Sequence, residues 1–258
     1  MPQLRLNISA ATCEKAERKN QDNLLVDKYI VNTKNLSRFS CAMELKNEKK
    51  CVFCVSDGIG GQHGGDVASE KAILSVYENL EILKNIDSEH TIVDCMDIIN
   101  SKVIEHLESQ GYDGGATLSG IIIADNTMWA WNIGDSPIYL YRNKKLRKIS
   151  EDHTLNGNNG LFKSDRKRSY SSNVLTKYIG NSEESGGEQV KIEKHELKKN
   201  DIIVICTDGV VKGLSQRRIK NIIKNEHTLN LAEELVDMAH HYDADDDITA
   251  IVVRVEEC

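Results

Sequence analysis

The sequence predicts an α+β fold in which antiparallel strands form sheets and the helices lie outside them. Three observations support this class. Short apolar runs bounded by turn residues recur along the chain, and segments with helical spacing come in blocks between them. Some neighbouring runs are joined by connections that are too short for a parallel crossover. A doubly wound parallel sheet is therefore disfavoured.

The strands are predicted from apolar runs that end at turn residues. Between 117 and 142 three runs are joined by Asp125-Asn126 and Asp135-Ser136, so we expect an antiparallel meander there. The complete set of predicted strands is 4–12, 24–31, 51–56, 117–124, 128–133, 137–142, 201–206 and 248–255.

Helices are predicted where apolar residues recur every three or four positions. One such stripe is Ile73, Tyr77 and Leu80, and a second runs through Ile92, Met96, Ile99 and Val103. A third helix is expected over 230–242, preceded by a shorter one over 215–224. The stretch 156–173 lacks either period and is interpreted as a surface loop.

Composition limits the functional classes. The chain has 258 residues, enough for one packed domain spanning 1–258, and its 33 Lys+Arg against 40 Asp+Glu give a net charge of -7. This balance argues against nucleic acid or a membrane as a partner. Seven cysteines are an odd number for a disulfide framework, and neither a membrane span nor a secretory signal is evident. We expect a cytoplasmic monomer with reduced thiols.

Acidic residues stand at the ends of several predicted strands. Asp57-Gly58 and Asp208-Gly209 each follow a strand, Asp245-Asp246-Asp247 precedes the last one, and Asp22 precedes the strand near 24. If these ends meet, the carboxylates repel one another unless their pKa values rise or a cation binds. Mg²⁺ and Mn²⁺ prefer such oxygen ligands, and two of them could share Asp57. Any single Asp-Gly is more often only a turn.

The motifs occur in a particular order, and it is the order that is informative. They are Asn20-Gln21-Asp22, Val55-Ser56-Asp57-Gly58-Ile59-Gly60-Gly61, Gly115-Ala116-Thr117, Asn132-Ile133-Gly134-Asp135-Ser136, Glu151-Asp152-His153-Thr154-Leu155, Val174-Leu175-Thr176, Cys206-Thr207-Asp208-Gly209 and Asp246-Asp247-Ile248-Thr249. This set resembles the metal-dependent protein phosphatases of the type 2C serine/threonine class, in their compact bacterial form. The resemblance covers nearly the whole chain.

The resemblance implies a fold, a reaction and roles for residues. The implied fold is a four-layer α-β-β-α sandwich of two antiparallel sheets. Asp57 would bridge two Mn²⁺ or Mg²⁺ ions, Gly58 would offer its carbonyl, Asp208 and Asp246 would complete the site, and Asp22 would act through a metal-bound water. The implied reaction is direct attack of metal-bound hydroxide on a phosphoserine or phosphothreonine protein. A cognate serine/threonine kinase is a further implied partner.

Some positions depart from the family pattern. Arg18, four residues before Asp22, is the candidate phosphate-binding residue, weighed against a solvated charge. Ile59 stands where eukaryotic members carry a histidine general acid. A third ion in some members uses the residue at Asp135, but Lys212 replaces an acidic residue that can accompany it.

Alternative functions remain open on the sequence. A catalytically weak family member could act as a phosphoprotein-binding regulatory module, and a phosphatase for small phosphate esters is a third option. The glycines from Gly58 to Gly65 fail the dinucleotide spacing, and although Gly60 and Gly65 have the Walker spacing, Asp66-Val67 follow in place of Lys and Ser/Thr. The basic residues of 156–173 could attract acidic or phosphorylated substrate segments, weighed against a solvated charge run.

Overall fold

The computed structural model describes residues 4–14, 19–31, 38–45, 50–60, 64–155, 174–224, 230–242 and 245–257. Its strands are β1 (Leu4–Cys13), β2 (Asp22–Val26), β3 (Tyr29–Val31), β4 (Arg38–Leu45), β5 (Lys50–Ile59), β6 (Gly115–Ala116), β7 (Leu118–Ala124), β8 (Thr127–Ile133), β9 (Ile138–Arg142), β10 (Lys145–Lys148), β11 (Lys191–Glu196), β12 (Ile202–Cys206) and β13 (Ile248–Glu257). Its helices are α1 (Gly65–Glu78), α2 (Leu80–Lys84), α3 (Glu89–Gln110), α4 (Gly186–Gln189), α5 (Asp208–Gly213), α6 (Gln216–Ile223) and α7 (Leu231–His241). Arg18 and the predicted loop 156–173 lie outside the described residues.

Within the described ranges the strands form two antiparallel sheets. The first sheet has the order β10-β9-β12-β13-β1-β4. The second has the order β11-β8-β7-β5-β2-β3, with β6 paired to β5. Strands β1 and β13 pair from Arg5 opposite Glu257 to Cys13 opposite Ile248, so the first and last strands lie side by side at the middle of the first sheet.

The two sheets pack face to face with helices on both outer sides. Between the sheets lies an apolar layer that includes Ile8, Phe53 and Ile251. Helices α1, α2 and α3 cover the second sheet, and α5, α6 and α7 cover the first. Alternation along β5 sends Phe53 inward and Val52 toward the helices. Each fully buried aliphatic or aromatic side chain contributes roughly 1.5–3 kcal/mol. The predicted α-β-β-α sandwich is confirmed.

Two side-chain pairs behave as strand alternation predicts. Cys51 faces the other sheet whereas Cys54 faces the helices, and burial raises the pKa of both thiols. They are therefore buried packing residues and not a metal or redox pair. Trp129 and Trp131 both lie in the layer under the helices, in a packing role.

One predicted strand is a hairpin. The run 24–31 divides into β2 and β3, which pair through Leu24 opposite Val31 and are joined at Asp27-Lys28. Asp27 has φ 53°, a left-handed conformation that Asp adopts more readily than most residues. The two charged residues interrupt the apolar run at the point where the chain reverses.

The predicted three-stranded meander is wrong. β7 and β8 pair in the second sheet, but β9 pairs with β12 in the first. The segment Gly134-Asp135-Ser136 therefore crosses from one sheet to the other. Gly134 has φ 97°, which a side chain would strain, and this allows the sharp change of direction.

Sheet edges account for the strands that the apolar pattern did not predict. β4 and β10 are the two edges of the first sheet, and β11 is an edge of the second. β10 and β11 carry mainly charged residues, which protect an edge from pairing with another chain. An apolar-run criterion cannot detect such strands.

The helices follow their predicted stripes in part. Ile92, Met96, Ile99 and Val103 are all buried on α3, which ends at Gly111 in a left-handed cap. On α1 the stripe differs, because Tyr77 is 43% exposed and Val76 is buried in its place. No helix in the part of the chain that the structure describes is long and apolar enough to cross a membrane.

Candidate active site

The acidic strand ends of the two sheets meet at one edge of the sandwich. Asp57 lies near the end of β5, directly opposite Asp22 in the β2–β5 pairing. Asp208 begins α5, immediately after β12 of the other sheet. The hydroxyl of Thr207 donates to Asp22 Oδ2 at 2.8 Å and so joins the two sheets. The structure thus brings together residues that are far apart in sequence.

A network of buried polar side chains fixes this meeting point. Thr12 Oγ1 and Thr249 Oγ1 are 2.8 Å apart, and Asn20 Nδ2 donates to Thr12 Oγ1 at 2.9 Å. Asn20 Oδ1 in turn accepts the backbone N–H of Asp22 at 2.8 Å. The backbone N–H of Thr207 donates to the Thr249 carbonyl at 3.0 Å. These hydrogen bonds fix the segments that carry Asp22 and Asp208 relative to each other.

The glycines that follow the two aspartates permit close backbone approach. A Cβ on Gly58 would lie 2.2 Å from the Gly65 carbonyl oxygen, at the start of α1. A Cβ on Gly209 would lie 2.0 Å from the carbonyl oxygen of Asp247. Both distances are far inside van der Waals contact. The Asp-Gly pairs are therefore required for packing the site and are more than generic turns.

Two residues that the sequence analysis did not select hold Asp57 in place. The Asp57 N–H donates to Thr117 Oγ1 at 3.0 Å, and the Asp57 carbonyl accepts the N–H of Thr117 at 2.8 Å. Thr117 Oγ1 is also 2.7 Å from Ser136 Oγ, which lies in the segment that crosses between the sheets. The Gly-Ala-Thr and Gly-Asp-Ser motifs contained these residues, but only the fold shows that they meet.

Asp135 is held by a turn that is bonded to a second loop. The N–H of Gly134 donates to His153 Nδ1 at 3.2 Å, and the His153 N–H donates to the Gly134 carbonyl at 3.1 Å. Burial lowers the pKa of His153 to about 4, which keeps the accepting nitrogen unprotonated at neutral pH. His153 therefore positions the loop that carries Asp135.

The carboxyl groups of the site are electrostatically crowded. Burial raises the pKa of Asp57 well above its ordinary value. Four other carboxylates raise it further: Asp22, Asp208, Asp246 and Asp135. All four are therefore close enough to influence the carboxyl group of Asp57. Such a group is stable only if protons or cations offset its charge.

The same causes act on the neighbours of Asp57. The pKa of Asp22 is raised to about 8, chiefly by burial and then by Asp247 and Asp246. The pKa of Asp135 is raised to about 7 by burial and then by Asp208. Asp247 accepts the N–H of Gln21 at 2.9 Å, so its carboxylate also ties the first acidic motif to the last.

A lysine supplies positive charge at one side of this group. Lys212 Nζ lies 2.6 Å from Asp208 Oδ2 and 2.5 Å from Asp246 Oδ2. Burial lowers the pKa of Lys212, but Asp208 and Asp246 raise it more, so the ammonium group stays charged. Ile59, at the position of the histidine in eukaryotic relatives, is half-buried in β5, and its side chain has no group that can donate a proton.

The side chains fit a hard divalent cation in their chemistry. Crowded carboxylates with raised pKa values and a glycine carbonyl are the donors that Mg²⁺ and Mn²⁺ prefer. Among the described residues, however, no three His, Cys, Asp or Glu side chains converge on one point as a ready-made metal site. Lys212 occupies the space between two of the candidates. Cation binding at that pair therefore requires a local rearrangement.

The α-β-β-α sandwich, with a group of aspartates where its two sheets meet, indicates a metal-dependent phosphatase. A sequence model described as Protein phosphatase 2C matches residues 39–251. The match spans most of the chain. The chain belongs to the protein phosphatase 2C family and is a serine/threonine protein phosphatase.

Individual relatives agree with this assignment. The "Serine/threonine phosphatase stp" of Listeria innocua is 27% identical over 218 residues, covering 80% of this chain and 85% of that protein. A structure of the S. agalactiae serine/threonine phosphatase has a TM-score of 0.77 at 23% identity, covering 97% and 100% of the two chains. The catalytic domain of PstP, in complex with two manganese ions, has a TM-score of 0.74 at 21% identity, covering 98% and 99%. At these identities the structures establish the fold. The comparisons do not favour the binding-module alternative.

Proposed function

We propose that this chain hydrolyses phosphoserine and phosphothreonine residues of proteins at the meeting point of its two sheets. Asp57, the Gly58 carbonyl, Asp208 and Asp246 would hold two Mn²⁺ or Mg²⁺ ions, and Asp22 would act through a metal-bound water. The observation that carries the proposal is the meeting of acidic strand ends from both sheets at one edge of the sandwich, where burial and then the neighbouring carboxylates raise the pKa of Asp57. The domain spans 1–258, and a third ion at Asp135 is a further possibility within the same proposal.

Bound divalent ions supply a water of lowered pKa and neutralise the phosphoryl oxygens. The residues of this chain explain why the reaction needs them. A phosphate dianion cannot approach five clustered carboxyl groups unless cations offset their charge. Asp57 is held by Thr117 at both its N–H and its carbonyl, so its backbone is fixed opposite Asp22. This rigidity preorganises the site for charge that develops during in-line displacement.

No side-chain nucleophile is needed in this account. Cys206 is the thiol nearest to Asp208 in the sequence. It is buried, and burial raises the pKa of this thiol well above neutrality. The reaction therefore proceeds in one displacement by water, without a covalent phosphoenzyme. Trapping a covalent phosphoryl intermediate on a Cys, Ser or His side chain of this chain during turnover would contradict the mechanism.

The proposal also covers partners and location in the cell. The chain acts as a cytoplasmic monomer, without nucleic acid or membrane as a partner, on substrates made by a cognate serine/threonine kinase. The net charge of -7 supports the absence of a nucleic-acid partner. Arg18 binds the substrate phosphate, and it stays a prediction from the sequence.

The test is phosphate release from a phosphothreonine peptide with Mn²⁺ or Mg²⁺ and with excess chelator. We expect turnover only with metal and a loss of at least about 100-fold in Asp208→Asn. The matched control is Asp125→Asn, in the turn between β7 and β8, about 26 Å along β7 from Thr117. It should keep wild-type turnover. Metal-independent turnover, or an active Asp208→Asn protein, would overturn the proposal.

A parallel assay with a small aryl phosphate separates protein substrates from small esters. An open metal site hydrolyses both, so the ratio of kcat/KM values is the informative quantity. We expect the phosphopeptide to be preferred. A preference for the small ester would leave the metal site in place and reassign the substrate.

A further inference from the structure

Lys212 forms a bridge between two segments that carry candidate metal-binding carboxylates. Its Nζ lies 2.6 Å from Asp208 Oδ2 on the same helix and 2.5 Å from Asp246 Oδ2 on the segment before β13. All three side chains are mostly buried, with exposed fractions of 19%, 16% and 24%. The ammonium group thus pairs with one oxygen atom of each carboxylate at once.

The position of Lys212 follows from helix geometry. Asp208 is the first residue of α5, and a residue four positions later lies above it on the same face. Gly209 lets the backbone of Asp247 approach the same turn, which places Asp246 within reach of the lysine. A salt bridge on the surface would be weak. Here the ammonium group takes the place of water beside two carboxylates that would otherwise repel each other.

We propose that Lys212 is a built-in counter-cation that competes with divalent metal ions for Asp208 and Asp246. The proposal rests on the proposed function, in which these two carboxylates hold a metal ion. A metal ion bonded to both would need oxygen distances of about 2.0–2.2 Å. It would then lie close to an ammonium group that is in contact with the same oxygen atoms. The lysine side chain must turn away before the metal binds.

A neighbouring carboxylate lies within the electrostatic reach of Lys212. Asp135 is close enough for the charge of Lys212 to act on it, and it lies on the segment that crosses between the sheets. The metal affinity of this phosphatase is therefore set partly by the work of moving Lys212. Removing the amine should tighten metal binding, in contrast to the usual effect of a mutation in a metal site.

The experiment measures Mn²⁺ binding to the full chain by titration calorimetry at fixed pH and ionic strength. We expect Lys212→Met to bind Mn²⁺ at least about tenfold more tightly than the wild type, a change of about 1.4 kcal/mol. Lys212→Arg keeps the charge and should stay within about threefold of the wild type. Unchanged or weaker binding by Lys212→Met would overturn the proposal.

A matched control removes a similar ion pair elsewhere. Lys84 lies 2.6 Å from Asp27, with exposed fractions of 25% and 15%, and Asp27 follows the end of β2 opposite to Asp22. Lys84→Met should leave the Mn²⁺ affinity unchanged. A tighter affinity in this variant as well would mean that general loosening of the fold, and not Lys212, sets metal binding.

Thermal melting gives a readout that does not depend on catalysis. In excess chelator Lys212→Met should melt below the wild type, and Mn²⁺ should raise its Tm by more than it raises that of the wild type. If Lys212→Met does not fold, Lys212→Gln serves in its place. If the wild type is inactive but Lys212→Met binds Mn²⁺ more tightly, the phosphatase proposal is wrong and the Lys212 proposal is supported. If the wild type is active but Lys212→Met has the wild-type Mn²⁺ affinity, the phosphatase proposal is supported and the Lys212 proposal is wrong.

Discussion

The two Asp-Gly strand ends share a sequence pattern but differ in how their charge is offset. At the end of β5, Asp57 is held by backbone hydrogen bonds to Thr117, and its carboxyl group is surrounded by other acids. At the end of β12, Asp208 begins a helix and pairs with Lys212 one turn later. One carboxylate depends on an external cation, whereas the other has an internal one.

Similar motifs can therefore have opposite effects on the stability of the fold. A buried carboxyl group among like charges destabilises the fold unless a cation binds. A buried carboxylate paired with a lysine stabilises the fold relative to the broken pair.

The largest effect is expected from Asp57→Asn. Metal-dependent phosphate release should fall by at least about 100-fold, because the side chain shared by both ions is lost. In excess chelator the same variant should melt at a higher temperature than the wild type, because one of the crowded carboxyl groups is gone. Phosphate release and thermal melting measure the two effects. Retained activity would show that Asp57 does not bind metal.

The second prediction concerns the other strand end. Asp208→Asn should also lose activity, but in excess chelator it should be less stable than the wild type by about 2–3 kcal/mol, because Lys212 loses one of its two partners. Denaturant unfolding gives the free energies. The expected order of stability is Asp57→Asn, wild type, Asp208→Asn. The same sign for both variants would remove the distinction between the two ends.

The third prediction is a pH dependence at His153. Its folded pKa of about 4 lies below the ordinary value of 6.5, so the unfolded state binds the proton first as the pH falls. The wild type should therefore lose about 2 kcal/mol of stability between pH 7 and pH 5 from this group alone. His153→Gln keeps an acceptor for Gly134 but does not titrate. Equal pH profiles for the two proteins would mean that His153 is not buried in its neutral form.

The smallest effect is expected from Thr117→Val, which removes the hydroxyl that accepts from Asp57 and contacts Ser136. We expect a loss of about 1–2 kcal/mol in unfolding free energy and a decrease in kcat of a few fold. The comparison variant is Thr127→Val at the start of β8, which is not in this network. If Thr117→Val left kcat unchanged, the network would support folding but not the position of Asp57.

The central strands and the site's aspartates could be predicted because their signals are local. Buried strands such as β5 and β12 are continuous apolar runs, and each ends in Asp-Gly. Edge strands carry charges and have no such signal, which is why β10 and β11 were not predicted. The change of sheet at Gly134 also has no signal in hydrophobic spacing, since a short turn fits a meander equally well.

The supporting contacts could not be predicted because they join distant segments. Thr207 reaches Asp22 across the sheets, and nothing in either motif indicates this. From the sequence, Lys212 is recognised only as the replacement of an acidic residue that can accompany a third ion. Its contact with Asp246 depends on the approach of two segments at Gly209, which is a property of the packed fold.

The most direct test of the central claim is a crystal structure with Mn²⁺, using anomalous scattering at the manganese edge. The account predicts two manganese peaks within bonding distance of Asp57, one of them also bonded to Asp208 and Asp246, with Lys212 Nζ moved away from both oxygen atoms. Manganese peaks elsewhere in the fold, or Lys212 still bridging Asp208 and Asp246 beside the bound metal, would contradict it.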